Sequence, residues 1–305
     1  MRLILKDMKR YIAICALLAG TFQAAVAQKP DTAQILVHYK FSHVLDTNNR
    51  AHPYTENMVL FVGKTSASYK SYDTELQNEL YRRQMQEQVS AGGNFRLDRN
   101  ITGSGTVYYQ FTSNRKLVRK EVLLDAYIID EVLPSINWHI SNNTANFDEL
   151  HCQKATCHFK GRDYIAWFCA DLPVRVGPWK LNGLPGVIVE AYDTKKEVVF
   201  KFDRVEKAVL GAHMQKIKDR HGRELVPLGD DDYGIDPNII QAPARGIKST
   251  DKEFEKLYNT MHKNPGVLAQ SMGANPQNLA GPKTDISTRK STTQPDNNPI
   301  ELPEK

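Results

Sequence analysis

Hydrophobic and polar residues alternate with a period of two through most of the first two thirds of the chain. Ile35, Val37, Tyr39 and Phe41 interleave with Gln34, His38 and Lys40. The alternation returns at Val107-Tyr109-Phe111, Ile136-Trp138-Ile140, Ile165-Trp167-Cys169 and Val198-Phe200-Phe202, and Met58–Val62 and Leu117–Leu124 are further strand candidates. Successive side chains of a strand point to opposite faces, so the pattern predicts sheets with one wet face, which favours antiparallel pairing. Two stretches depart from it. Asp73 to Ser90 is polar and rich in Gln, Glu and Leu, a surface helix or an ordered loop. Thr250-Asp251-Lys252-Glu253 fits a capping box, and Phe254, Leu257, Tyr258 and Met261 follow at helical spacing, so a helix begins there. The expectation is mainly β: one curved antiparallel sheet of roughly eight to ten strands, half-barrel-like, with one or two helices packed on its concave side or an edge.

The first 27 residues fall outside that pattern. Lys9 and Arg10 precede an apolar run from Tyr11 to Phe22, and Ala25-Val26-Ala27 supplies a small-x-small cleavage site, with Met8 an alternative start to Met1. This reads as a signal peptide cleaved after Ala27, and the run is too short to span a bilayer. Its removal takes away four basic residues and Asp7, so the 40 basic and 35 acidic residues of the chain become 36 and 34, and the formal charge falls from +5 to +2. A near-neutral remainder has no basic footprint for nucleic acid, and no apolar stretch is left to form a transmembrane segment. The expected product is periplasmic. Residues 28–264 form one β-rich domain in this reading, and 265–297 are a polar linker too poor in apolar residues to order itself.

Glycine and proline concentrate before one strand. Gly177-Pro178 and Gly183-Leu184-Pro185-Gly186 read as two turns ahead of Val187, Val189 and Ala191. A Pro-Gly pair suits a type II turn, which would give Gly186 a positive φ. Trp179 and Leu181 lie between the turns, where they can tuck an apolar corner against the sheet. The alternative is a loop whose Trp179 and Leu184 meet a ligand.

The stretch "GPWKLNGLPGVI" resembles the signature of the GLPGLI family of exported Bacteroidetes-type proteins. "INWHI" at Ile136–Ile140, "CQKAT" at Cys152–Thr156, "GRDYIAWF" at Gly161–Phe168 and "NNPIEL" near the C-terminus add to the resemblance. Val187 stands where the family name has Leu, and the 269–293 spacer is long. The resemblance implies a predominantly β, exported protein of largely unknown function, and residues 298–305 docking back on the domain as a short edge segment.

Candidate chemistry is sparse. The mature chain keeps Cys152, Cys157 and Cys169. A hairpin turning at Gly161-Arg162 puts Cys152 and Cys169 on facing strands and favours that disulfide, with a one-residue register deciding the pairing. His151, Cys152, Cys157 and His158 are the alternative, a soft-metal set for copper or zinc, though Cys152 and Cys157 have opposite strand parity. Arg162, Tyr164 and Trp167 could line a pocket for an anionic ligand, or Arg162 could pair with a carboxylate while Trp167 packs in the core. Asp230-Asp231-Asp232 sits in a loop without EF-hand spacing. His38, His43 and His139 are isolated on strand patterns. Asp31-Thr32-Ala33 matches a bacterial O-glycosylation sequon, making Thr32 a modification candidate in a flexible N-terminus. No nucleophile elbow, H-E-x-x-H or P-loop occurs, and no cofactor is implied. Three function classes stand. The first is a non-enzymatic periplasmic binding or accessory protein, whose partner is an apolar ligand or an outer-membrane transport protein. The others are a soft-metal handling protein and a hydrolase of unrecognised type.

Overall fold

The structure, a computed structural model, describes residues 30–90, 103–123, 125–209, 236–263 and 297–304. The signal-peptide stretch, Asp230–Asp232 and nearly all of the 265–297 linker lie outside the described residues. Near the N-terminus β1 (Asp31–Thr32) precedes β2 (Ile35–His43), β3 (Tyr54–Val62) and β4 (Ser66–Ser71), and α1 (Tyr72–Ser90) follows. The middle holds β5 (Val107–Phe111), β6 (Lys116–Val122), β7 (Ala126–Val132), β8 (His139–Phe147), β9 (Leu150–Phe159) and β10 (Arg162–Cys169). After these come β11 (Val187–Asp193), β12 (Val198–Lys207), β13 (Ile239–Ile240), β14 (Ile247–Ser249) and α2 (Asp251–Lys263).

Twelve strands join one sheet in the order β14-β7-β6-β5-β4-β3-β2-β12-β11-β10-β9-β8, while β1 and β13 pair apart from it. The sheet is larger than the eight to ten strands expected from alternation. Short strands such as β14 carry too few residues to show a period, and β14 pairs with β7 in parallel rather than antiparallel. Among the described residues the sheet does not close, and β14 and β8 are its edges. The alternation at 136–140 overstates β8, which begins only at His139, while the Trp138 indole leaves the ladder and donates to Asn182 O at 2.8 Å.

Both helices have local reasons to form. The Ser71 hydroxyl accepts from Thr74 N at 3.1 Å, and Asp73 and Glu75 place negative charge in the first turn of α1. At α2, Glu253 N donates to the Thr250 hydroxyl at 3.2 Å and Thr250 N donates back to the Glu253 carboxylate at 2.9 Å, a reciprocal capping box. Phe254 is buried against Tyr127 of β7 and Arg119, which places α2 at the β14–β7 edge rather than across the concave face. Among the described residues no helix is long and apolar enough to cross a membrane.

What fills the concave face is the chain's own glycine-rich loop, residues 176–188. Trp179 packs on Phe159 of β9, Tyr164 of β10 and Phe200 of β12. The carbonyls of Gly177, Trp179 and Leu181 accept from Gln110 of β5. Seven interstrand steps separate β5 from β9, about 34 Å if the sheet were flat. One short loop touches both, so the sheet curves around it.

Candidate functional site

The loop closes on itself before it fills anything. Val176 and Asn182 form a β-bridge, Leu181 N donates to Pro178 O at 3.0 Å, and Ile188 N donates to Val176 O at 3.0 Å. Trp179 takes a left-handed backbone with φ of 55° and Gly183 one with φ of 96°. For a bulky residue that conformation costs on the order of 1–2 kcal/mol, offset by burial of the indole, which is 2% exposed. Gly186 does not have the positive φ that a type II turn would require. Its need is space: a Cβ there would sit 2.2 Å from Cys169 O, so the β11 entry lies directly against the β10 exit. Gly177 is confined in the same way by Ile188 and Leu181 O. Pro178 is buried in the first turn, while Pro185 is exposed in the second.

Leu184, Tyr164 and Trp179 are fully buried together with Leu181, so these three candidate ligand contacts form the core and present no surface. Trp167 lies on the opposite face of β10 from Tyr164, half-buried, and packs on Phe147 at 5.9 Å instead of entering the concave core. Alternation along β10 dictates this, since 164 and 167 differ by an odd number. Gln110 is invisible to sequence reasoning, because one polar residue in a strand pattern reads as a wet-face position. It is 0% exposed, and its amide Nε2 satisfies three loop carbonyls at 2.9, 2.9 and 3.3 Å.

A second polar cluster closes the rim where β9 turns into β10. Lys160 and Gly161, both at positive φ, make a two-residue hairpin, and Arg162 is the first residue beyond it. The Arg162 Nη1 donates to Asp193 at 2.7 Å and to Glu197 at 3.1 Å. Arg50 also pairs with Glu197 at 2.8 Å. Burial would raise the Glu197 carboxyl, but Arg50 and Arg162 hold it below the usual range. The other donors of Arg162 face residues 297–304. Nε donates to Ile300 O at 3.0 Å, and Nη2 donates to Asn298 Oδ1 at 2.6 Å and Pro299 O at 2.8 Å. Residues 297–304 thus lie as a strap across the rim. Ile300 packs on the core, Leu302 N donates to Lys160 O at 3.0 Å, and Glu301 pairs with Lys160 at 2.9 Å and Lys180 at 2.8 Å. Burial would raise the Glu301 carboxyl; the two lysines hold it low.

Cys152 and Cys169 lie directly opposite in the β9–β10 register, with no diagonal offset, and are joined by a disulfide. Cys157 is a buried thiol pushed up to about 12 by burial and the nearby Asp163 carboxylate. The four soft-metal candidates do not converge. Cys152 and His158 share one face of β9, His151 and Cys157 the other, and each pair is six residues apart, about 20 Å along a strand. His151 faces Asp171, and His158 lies between Asp163 at 2.7 Å and Glu304 at 3.0 Å. Among the described residues no three His, Cys, Asp or Glu side chains gather as a metal site. Thr32 lies in β1 opposite Ile239, not in a flexible terminus. The Asp31 carboxylate beside it is engaged by Thr65 N and by the Ser66 amide and hydroxyl at the β3–β4 turn. Of the isolated histidines, His38 is buried on β2 against Tyr72 and Glu206, His43 is buried, and His139 is exposed.

Residues 137–190, which run from before β8 into β11 and include the filling loop, match the model of a family described as a protein of unknown function, Porph_ging. No curated protein matches the chain. Two solved structures of PNGF-II are similar at 10% identity over 74% of this chain, with TM-scores of 0.44 and 0.45. The chain spans about a third of their length, 33% and 32%. At these TM-scores the likeness bears on neither fold nor function.

Proposed function

We propose that the protein is an exported, non-enzymatic binding or accessory protein of the cell envelope, working in the periplasm alongside outer-membrane transport and recognising its partner at the rim of the sheet. The observation that carries this reading is the filled interior. Trp179, Leu181 and Leu184 occupy the concave space in which a lipid-carrying half-barrel would hold its cargo. The buried cations Arg162 and Lys180 are already paired with carboxylates, an arrangement suited to structure and recognition. The signal-like N-terminus and the Cys152–Cys169 pair support an oxidising compartment. Against the soft-metal reading stands the spread of its four ligands over both faces of β9.

Fractionation of the native host, followed by native mass spectrometry, tests the proposal. The expected species is a periplasmic chain beginning at Gln28 and carrying neither lipid nor metal. A stoichiometric lipid would show that the interior opens, bound copper or zinc would restore the metal reading, and a cytoplasmic full-length chain would end the envelope role.

A further inference from the structure

We infer that the seat of the 297–304 strap is a peptide-recognition site. It takes from a partner an extended segment of the strap's own chemistry: an asparagine, an aliphatic residue two positions on, and a glutamate next to that. This rests on the proposed binding role and gives the partner a chemical description.

The seat is assembled without help from the strap. Asp193 fixes Arg162 while its other oxygen accepts from Glu197 N and Val198 N at 2.6 and 3.1 Å. The guanidinium is therefore preorganised, and its Nε and Nη2 donors remain for an incoming peptide. Recognition is directed at main chain and two amide side chains, since Asn297 Oδ1 accepts from Thr47 N at 2.9 Å and its Nδ2 donates to Asp46 at 2.8 Å. Besides the three Arg162 bonds, Asn298 Nδ2 donates to Val44 O at 2.6 Å and Asn298 N donates to Leu45 O at 3.2 Å. Asn298 is 3% exposed, and Ile300 sits on the apolar core. Charge is complementary too: Lys160 and Lys180 meet Glu301, and His158 meets Glu304. Even the hairpin glycine fits, because a Cβ on Gly161 would lie 2.7 Å from Leu302 O and 2.8 Å from Pro303 O. These are the features of a surface that binds an extended peptide.

Residues 297–304 form neither strand nor helix, and 33 residues separate them from the end of α2. A segment of the same chain competes intramolecularly with any incoming peptide. The strap is thus a resident occupant that a partner must displace, which lowers the partner's apparent affinity by the fraction of open seats.

The test uses the full chain and a fluorescent synthetic peptide with the sequence of residues 297–304. Wild type is compared with a chain carrying Asn298→Ala and Glu301→Lys, which weaken the strap and leave the seat intact. The weakened chain is expected to bind the peptide at least about ten-fold tighter than wild type. A peptide with alanine at the Asn298 position should not bind. In a chain carrying Asn298→Ala and Glu301→Ala, whose strap has no charge at that position, adding Lys160→Glu should lower affinity, and a peptide with lysine at the Glu301 position should restore it. A cooperatively melting weakened chain that binds no better than wild type, or that accepts the alanine peptide equally, overturns the inference. Wild type supplies an arm free of folding concerns: a photo-crosslinking peptide at saturating concentration should label the Arg162–Lys180 region, and no label there also overturns it. An enzymatic activity found elsewhere would sink the non-enzymatic reading and leave this titration standing. A failed titration would leave the envelope role untouched.

Discussion

Gly183 and Gly186 sit three residues apart and are glycine for different reasons. Gly183 needs its left-handed backbone and has ordinary room for a Cβ, which would meet Trp138 at 3.8 Å. Gly186 has an unexceptional backbone and no room at all beside Cys169 O. Gly183→Ala should cost about 1 kcal/mol. Gly186→Ala should cost about 2 kcal/mol or more, because the contact is with backbone that cannot rotate away. Urea denaturation of the two variants gives the order, and a larger loss at Gly183 would contradict it. Gln110→Leu should cost more than about 2 kcal/mol, since it strands the carbonyls of Gly177, Trp179 and Leu181 in an apolar interior. The sequence marks these glycines as turn residues. It does not separate a torsional need from a spatial one, because close approach depends on where β10 ends, a long-range fact.

Between β9 and β10, alternation alone predicts facing strands and brings Cys152 near Cys169. The two-residue turn sets the register that puts them opposite. Their separation of 17 residues implies that the bond contributes about 3 kcal/mol through the unfolded chain. Reduction should therefore lower the melting temperature of the wild type and leave a Cys152→Ser, Cys169→Ser chain unmoved by reductant. Cys157 should resist thiol reagents at neutral pH until the protein is denatured, for its thiolate is disfavoured by burial. The strap carries a pH dependence of known sign. Hydrogen bonding to Asp163, then to Glu304, raises the His158 pKa above its ordinary value. A raised folded-state pKa gives stability that is fully present below the unfolded value and lost as pH rises through the folded one. The melting-temperature advantage of wild type over His158→Gln should therefore be full below about pH 6.5 and shrink as the pH rises above it. An advantage that grew with pH would show that His158 is not held as an imidazolium. None of the strap's contacts is legible locally, since Asn298 and Arg162 are 136 residues apart; only the family resemblance of "NNPIEL" hints that the segment docks.

At the level of the whole molecule, the mainly β, largely antiparallel sheet follows from strand alternation, and the capped α2 from its Thr250–Glu253 box. Strand number and the parallel β14–β7 pair do not follow, because two- and three-residue strands show no period. The filled interior was legible only in outline: an apolar corner between two turns is visible in the sequence, but not the distance across the sheet that it reaches. On that interior the proposed function depends, because a loop that fills the concave face leaves no space there for cargo, whereas a mobile loop would. The most direct test is urea denaturation of Trp179→Ala. A side chain that is 2% exposed and packed on Phe159, Tyr164 and Phe200 should cost about 3–5 kcal/mol when truncated. A midpoint close to that of the wild type would place Trp179 on an accessible loop and contradict the account.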